Sequence, residues 1–114
     1  MTPQPTNFIA PTVAQIFDRL AAEKTNPSLK GESGTFEFDL DGAGQWYLQL
    51  DDGKLSLLKP IEHPDCVVHC SASTFMDIAQ GRGNLIATYL QGVVKIEGKP
   101  ELALDIRRFL PVAA

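Results

Sequence analysis

Reactive and ligating side chains crowd into one stretch, His63 to Asp77, which reads HPDCVVHCSASTFMD. His63, Cys66, His69 and Cys70 are four zinc-binding residue types within eight positions. Cys66 to Cys70, however, has the alternating, β-branched character of a strand. On a strand the two cysteines share a face about 13 Å apart and His69 points to the other. Structural zinc sites draw on turns with C-x-x-C spacing instead, so no metal is expected. A disulfide needs Cα atoms within about 7 Å, so none can join this pair, and reduced thiols are expected, as in the cytosol. Ser71, Ser73, His69 and Asp77 include the residue types of a hydrolytic triad. No G-x-S-x-G elbow accompanies them, and the serines sit where a helix needs a cap. An acyl-thioester hydrolase would have to use Cys66 or Cys70 with a histidine, and strand geometry separates those groups. Gly81-Arg82-Gly83 follows a helix rather than a strand and reads as a helix terminator, not a phosphate loop. Glu37, Asp39 and Asp41 alternate along a strand without EF-hand spacing and read as a solvated face. No catalytic residue and no cofactor are expected.

The elements that must position these groups are legible from hydrophobic period. Thr12 and Gln15 form a capping box ahead of Val13, Ile16, Phe17 and Leu20, an apolar stripe at i, i+3, i+4, i+7. Asn26-Pro27 ends or interrupts that helix. From Gly34 the period becomes two. Phe36, Phe38 and Leu40 alternate with Glu37 and Asp39; after Asp41-Gly42, Trp46, Leu48 and Leu50 alternate with Tyr47 and Gln49. After Asp52-Gly53, Leu55 and Leu57 alternate with Ser56. Three strands joined by short turns predict an antiparallel meander, and Cys66, Val68 and Cys70 a fourth strand. Ser73 or Thr74 is expected to cap the next helix, with Gly81 and Gly83 stopping it and Asn84 capping a short one after it. Val93 to Glu97 predicts a fifth strand, and Pro100 opens a last helix with the stripe Leu102, Ile106, Phe109, Leu110. Leu104 points about 160 to 200° away from that stripe. The stretch from Asp65 to Gly98 thus packs strand, helix, helix and strand into 34 residues, with little polar face on either helix.

The chain has 114 residues, enough for one domain with a real core. Hydrophobic residues make up 44% and charged residues 21%, so disorder is not expected. A net charge of −4 disfavours a nucleic-acid partner, which demands a positive field. The start, MTPQPTNFIAPT, lacks the cationic and apolar regions of a signal peptide. No segment approaches the roughly 20 apolar residues of a membrane span, and Pro-Val-Ala-Ala is not a peroxisomal address. The expected setting is cytoplasmic. Apolar side chains outnumber what a small core needs, and surplus apolar faces suit a domain that packs around a hydrophobic guest.

Several segments carry a family resemblance by their order and spacing. They are Gly34-Thr-Phe-Glu-Phe, Gly44-Gln-Trp, Asp65-Cys66, Phe75 with Gly81 six residues later, and Tyr89-Leu-Gln-Gly-Val-Val-Lys-Ile-Glu-Gly98 followed by Leu102-Ala103-Leu104. In these the chain, from about Val13 to Leu110, resembles the sterol carrier protein-2 domain family. It departs at Gly83-Asn84-Leu85, where Asn-Pro is more usual. The resemblance implies an α+β fold: a five-stranded, mostly antiparallel sheet with helices covering one face and enclosing a hydrophobic cavity. It also implies a ligand among fatty acids, fatty acyl-CoA, phospholipids, sterols or quinone precursors, and no catalytic residues.

The expected organisation is a flexible arm over residues 1–11 and one lipid-binding domain over 12–114. The expected function is an intracellular lipid carrier rather than an enzyme. The alternative is an accessory protein of a lipid or isoprenoid-quinone pathway that presents an apolar intermediate to partner enzymes. Phe17, Leu20, Phe36, Leu48, Phe75, Ile78, Tyr89, Ile96, Leu104 and Ile106 are the expected cavity wall. Gln91, at the end of the two-helix connection, is the expected headgroup partner. Arg107 and Arg108 lie off the last helix's stripe, where a transient contact with an anionic headgroup or membrane would fall.

Overall fold

A computed structural model of the chain describes residues 12–22 and 25–110. The arm expected over residues 1–11 lies outside them. Helix α1 (Val13–Ala22) starts at the reciprocal capping box: the Thr12 amide donates to Gln15 Oε1 at 2.9 Å and the Gln15 amide to Thr12 Oγ1 at 3.2 Å. Its stripe buries Ile16, Phe17 and Leu20. Asn26 then caps a single 3₁₀ turn, Pro27–Leu29. Strands β1 (Ser33–Asp41), β2 (Gly44–Asp51) and β3 (Lys54–Leu58) form the antiparallel meander, and β4 (Cys66–Ser71) returns beside β1 in parallel. Helices α2 (Ala72–Ala79) and α3 (Leu85–Leu90) lead to β5 (Lys95–Gly98), which pairs antiparallel with β4, and α4 (Pro100–Phe109) follows. The sheet order is β3-β2-β1-β4-β5. Three of its four pairings are antiparallel, and the long meander return makes the fourth parallel.

Register places the strand residues by face. Phe36, Phe38 and Leu40 sit opposite Leu48, Trp46 and Gly44 on one side and Cys66, Val68 and Cys70 on the other, so one face is continuously apolar. Helices cover that face. Phe17 lies between Trp46 and Phe75 in a parallel stack, with ring centroids 5.0 and 5.1 Å away, while Phe38 meets both Phe17 and Phe75 edge-on. Phe109 of α4 caps Phe36 edge-on at 5.6 Å. Aromatic contacts of this kind add about 0.5–1.5 kcal/mol each beyond burial. Leu57 shares the core face with Leu55 but stays exposed, because β3 is the sheet's open edge.

Two close approaches explain motif glycines. Leu102 of α4 lies over Gly34, where a Cβ would come within 2.5 Å of Leu102 Cδ1. Gly98 has φ +102°, and a Cβ there would collide with the Asp65 carbonyl. Asp65 ties the strand starts together: Oδ2 accepts from the Thr35 amide (3.1 Å), its own amide donates to Thr35 Oγ1 (3.0 Å), and its carbonyl accepts from the Lys99 amide (3.0 Å).

Strand β4 runs one residue further than its cysteines, so the N-cap of α2 is Ser71 rather than Ser73 or Thr74. Ser71 Oγ accepts from the Thr74 amide at 3.1 Å. Asn84 caps α3 as its sequence position predicts, accepting from the Ala87 amide at 2.9 Å.

Candidate functional site

The polar clusters of β4 resolve into separate structural tasks. Cys66 and Cys70 are buried on the core face, and burial, with Asp65 and Asp41 nearby, pushes each thiol up to about 11. A thiol held that high supplies almost no thiolate near neutrality and is a poor nucleophile. His69 lies on the opposite face, with Nδ1 3.2 Å from Asp39 and Nε2 3.6 Å from Glu97. Ser71 is occupied as a cap, and Asp77 pairs with Arg82 at 3.0 Å. The backbone at Gly81, with φ +83°, sends the Arg82 and Gly83 amides back to the Asp77 carbonyl, which closes α2. Among the described residues no group of three or more His, Cys, Asp or Glu is placed to hold a metal.

The apolar surplus lies around α3. This helix has only six residues, and its neighbours leave a cavity on each side of it. One, of about 300 Å³, is walled by Leu85, Ile86, Tyr89, Ile96, Gly98, Pro100, Ala103 and Leu104. The other, of about 560 Å³, is walled by Ile78, Gly83, Asn84, Leu85, Ile86, Ala87, Leu90, Ile106, Arg107 and Leu110. Leu85 and Ile86 belong to both, so α3 is the partition between them. Both volumes fall within or at the edge of the range of small-molecule sites. Arg107 places a guanidinium on the wall of the larger cavity. Among the described residues it enters no salt bridge, whereas its neighbour Arg108 bonds Asp105 Oδ1 and the Ser28 carbonyl.

Of the expected wall residues, the structure brings Tyr89, Ile96 and Leu104 together in the smaller cavity and Ile78 and Ile106 in the larger. Phe17, Leu20, Phe36, Leu48 and Phe75 lie in the close-packed core beneath. Trp46 is packed on Phe17, its indole N–H donating to the Ala43 carbonyl at 3.0 Å. Gln91 caps the C-terminus of α3 through its backbone and is exposed. Leu85, Ile86, Leu90, Pro100 and Ala103 complete the walls without having been singled out by period. In a six-residue helix with apolar residues on most sides, spacing cannot tell which side meets the core.

Sequence reasoning also passed over Asp105. It is 2% exposed, and its Oδ2 is buried with no hydrogen-bond partner among the described residues. Burial first, then a hydrogen bond and repulsion from Glu32, raise its carboxyl to about 6 against the pull of Arg108. The signal was present: position 105 falls on the apolar stripe of α4 between Leu102 and Ile106.

Residues 13–111 match the model of the SCP-2 sterol transfer family. The chain belongs to that family. It is 25% identical over 105 residues to hydroxysteroid dehydrogenase-like protein 2 of Xenopus laevis, a match covering 89% of this chain and 25% of that protein. The chain therefore spans about a quarter of the length of that relative. Among solved structures, the sec-alkylsulfatase Pisa1 from Pseudomonas sp. is similar with a TM-score of 0.76 at 22% identity, over 92% of this chain and 17% of that one. Palmitated SCP2L2 from Aedes aegypti is similar over 84% and 87% of the two chains, with a TM-score of 0.61 at 20% identity. Such structural likenesses show the fold. The SCP-2 fold here is a lipid-binding domain, and among the described residues no helix is long and apolar enough to cross a membrane.

Proposed function

We propose that this SCP-2 domain is a carrier that holds one apolar lipid in the cavities flanking α3. The reading rests on one observation: two cavities meet at Leu85 and Ile86, the smaller mainly apolar, and the wall of the larger carries Arg107, which enters no salt bridge among the described residues. An aliphatic tail gains roughly 0.8 kcal/mol per buried CH₂ before the cost of association. A carboxylate or phosphate head would be oriented by Arg107 through charge-assisted hydrogen bonds. That favours a fatty acid or fatty acyl-CoA over an uncharged sterol, and the palmitated mosquito relative shows that a domain of this fold takes such a chain. Binding and release need no covalent step, in keeping with two thiols too basic to act as nucleophiles.

The test is displacement of a fluorescent fatty acid. Palmitate is expected to compete in a saturable way, and acetate, which buries too little apolar area, is not. Methyl palmitate, with the same tail and no charge, is expected to bind about fivefold or more weakly, the loss of one charge-assisted bond. Ala103→Trp, which fills the smaller cavity from its half-buried place on the wall, is expected to weaken palmitate, with circular dichroism and a thermal melt checking that the variant folds. Failure of palmitate to compete, with a lipid-free native mass spectrum, would sink the reading.

A further inference from the structure

Helix α4 contributes to both cavities. Pro100, Ala103 and Leu104 line the smaller, and Ile106, Arg107 and Leu110 the larger. Its other side is fastened to the segment that leads into β1. The N-terminal end is held by the Lys99 amide on the Asp65 carbonyl and by Leu102 over Gly34. The C-terminal half is held on the 3₁₀ turn. Asn26 Nδ2 donates to the Arg108 carbonyl at 3.2 Å, and Arg108 Nη1 donates to the Ser28 carbonyl at 3.2 Å and to Asp105 Oδ1 at 3.3 Å.

One of these fastenings is incomplete. Asp105 is 2% exposed, and its Oδ2 has no hydrogen-bond partner among the described residues. The Glu32 carboxyl, from the segment between the 3₁₀ turn and β1, acts on that side chain by hydrogen bond and by repulsion. Two ionised carboxylates are both acceptors, whereas a proton on Asp105 makes the pair donor and acceptor. From α4 itself Arg108 favours the ionised form of Asp105 and Glu101 opposes it. Strand β4 also packs against α4, and its core-face thiols, Cys66 and Cys70, are pushed up to about 11 and stay neutral here. The Asn26 amide and the Arg108 guanidinium do not titrate near neutrality.

We propose that the Asp105–Glu32 carboxyl pair is a proton-operated latch that holds the C-terminal half of α4 on the 3₁₀ turn, and that a bound lipid leaves when the latch opens. The latch itself stands without a ligand, and the release step rests on the carrier reading. Burial and Glu32 hold the Asp105 carboxyl at about 6 in the seated helix, against 3.8 ordinarily. The seated helix therefore binds more protons than the opened one, in which Asp105 meets water. Seating is strongest below pH 3.8 and weakens as pH rises to about 6. Between pH 5 and 7 the ratio of opened to seated helix rises about tenfold.

Hydrogen exchange of the lipid-free chain, corrected for the intrinsic pH dependence of amide chemistry, tests the latch. At pH 7, α4 and residues 26–32 are expected to be less protected than β1 and β4, the mark of a local opening. The exchange of α4 relative to Asp105→Asn is expected to rise about tenfold from pH 5 to 7. Glu32→Gln leaves the backbone bonds of residue 32 in place and is expected to shrink that rise, since the burial of Asp105 remains. Thermal melts check folding, and Glu32→Gln carries the comparison alone should Asp105→Asn fail to fold. Protection of α4 equal to that of the strands, or an undiminished rise in Glu32→Gln, overturns the latch. For the release step, a fluorescent fatty acid is chased with excess palmitate. The ratio of native to Asp105→Asn release rates, in which the ligand's own titration cancels, is expected to rise about tenfold over the same range. A ratio that stays flat while α4 exchange rises overturns release through this wall. If no fatty acid binds, the carrier reading and the release step fall together, and hydrogen exchange alone decides the latch.

Discussion

Replacing Asp105 with Asn should stabilise the domain near neutral pH and not in acid. Asp105 lies on the buried stripe of α4, 2% exposed, with Oδ2 lacking a hydrogen-bond partner among the described residues. The Glu32 carboxyl, by hydrogen bond and by repulsion, favours the protonated form of Asp105. Burial, Glu32 and Glu101 raise the Asp105 carboxyl from 3.8 to about 6, and Arg108 opposes them. The native chain therefore binds more protons than the unfolded chain between those values. Stability from this group is fully present below pH 3.8 and falls as pH rises, until it is lost above about 6. A shift of about two pKa units is worth at most about 3 kcal/mol. An amide is neutral at every pH and brings its own N–H donor. Urea unfolding of both chains between about pH 4 and 8 measures the difference with other titrations cancelled. Asp105→Asn is expected to exceed the native chain by about 1–3 kcal/mol near pH 7.5 and to converge with it near pH 4. An advantage that grows toward acid, or a variant less stable than the native chain at pH 7.5, would refute the account and make the Arg108 ion pair the dominant interaction.

Gly98→Ala should cost about 1–3 kcal/mol, because φ +102° is strained for any side chain and the added Cβ meets the Asp65 carbonyl; an unchanged melting temperature would show that β5 shifts freely along β4. Phe17→Ala should cost about 3–5 kcal/mol in urea, since it empties the centre of the Trp46–Phe17–Phe75 stack. A variant that melts like the native chain but loses palmitate would instead put Phe17 on the cavity wall.

Where local chemistry dictated the outcome, the sequence could be read directly. The meander follows from strict alternation between turn pairs, and α1 from a capping box whose two hydrogen bonds both form. The family segments correspond to physical constraints. Gly34 leaves room for Leu102, Gly98 for the Asp65 carbonyl, and Asp65 bonds Thr35 and Lys99 across three elements. The N-cap of α2 was displaced to Ser71 because hydrogen bonding to β1 carries β4 through that residue, and no local pattern reports how far a neighbouring strand will pair.

The site was less legible because period assigns a residue to a face without saying whether another side chain or a guest covers it. Phe17, Phe36 and Phe75 have the spacing of cavity walls, and they fill the interior, Phe17 stacking on Phe75 and Trp46 and Phe36 on Phe38. Aromatic rings satisfy each other in the core, whereas Leu90 of α3 and Leu104 of α4 stay largely exposed beside the cavities. Leu104 carried the usable signal. A leucine on the wrong side of an otherwise amphipathic helix lies at the rim of a cavity, half exposed, three residues before the one arginine on the wall. Asp105 is the complementary case, an acid on the apolar side of the same helix. In this domain the two violations of helical pattern mark the exposed apolar rim and the buried charge, and α4 carries both.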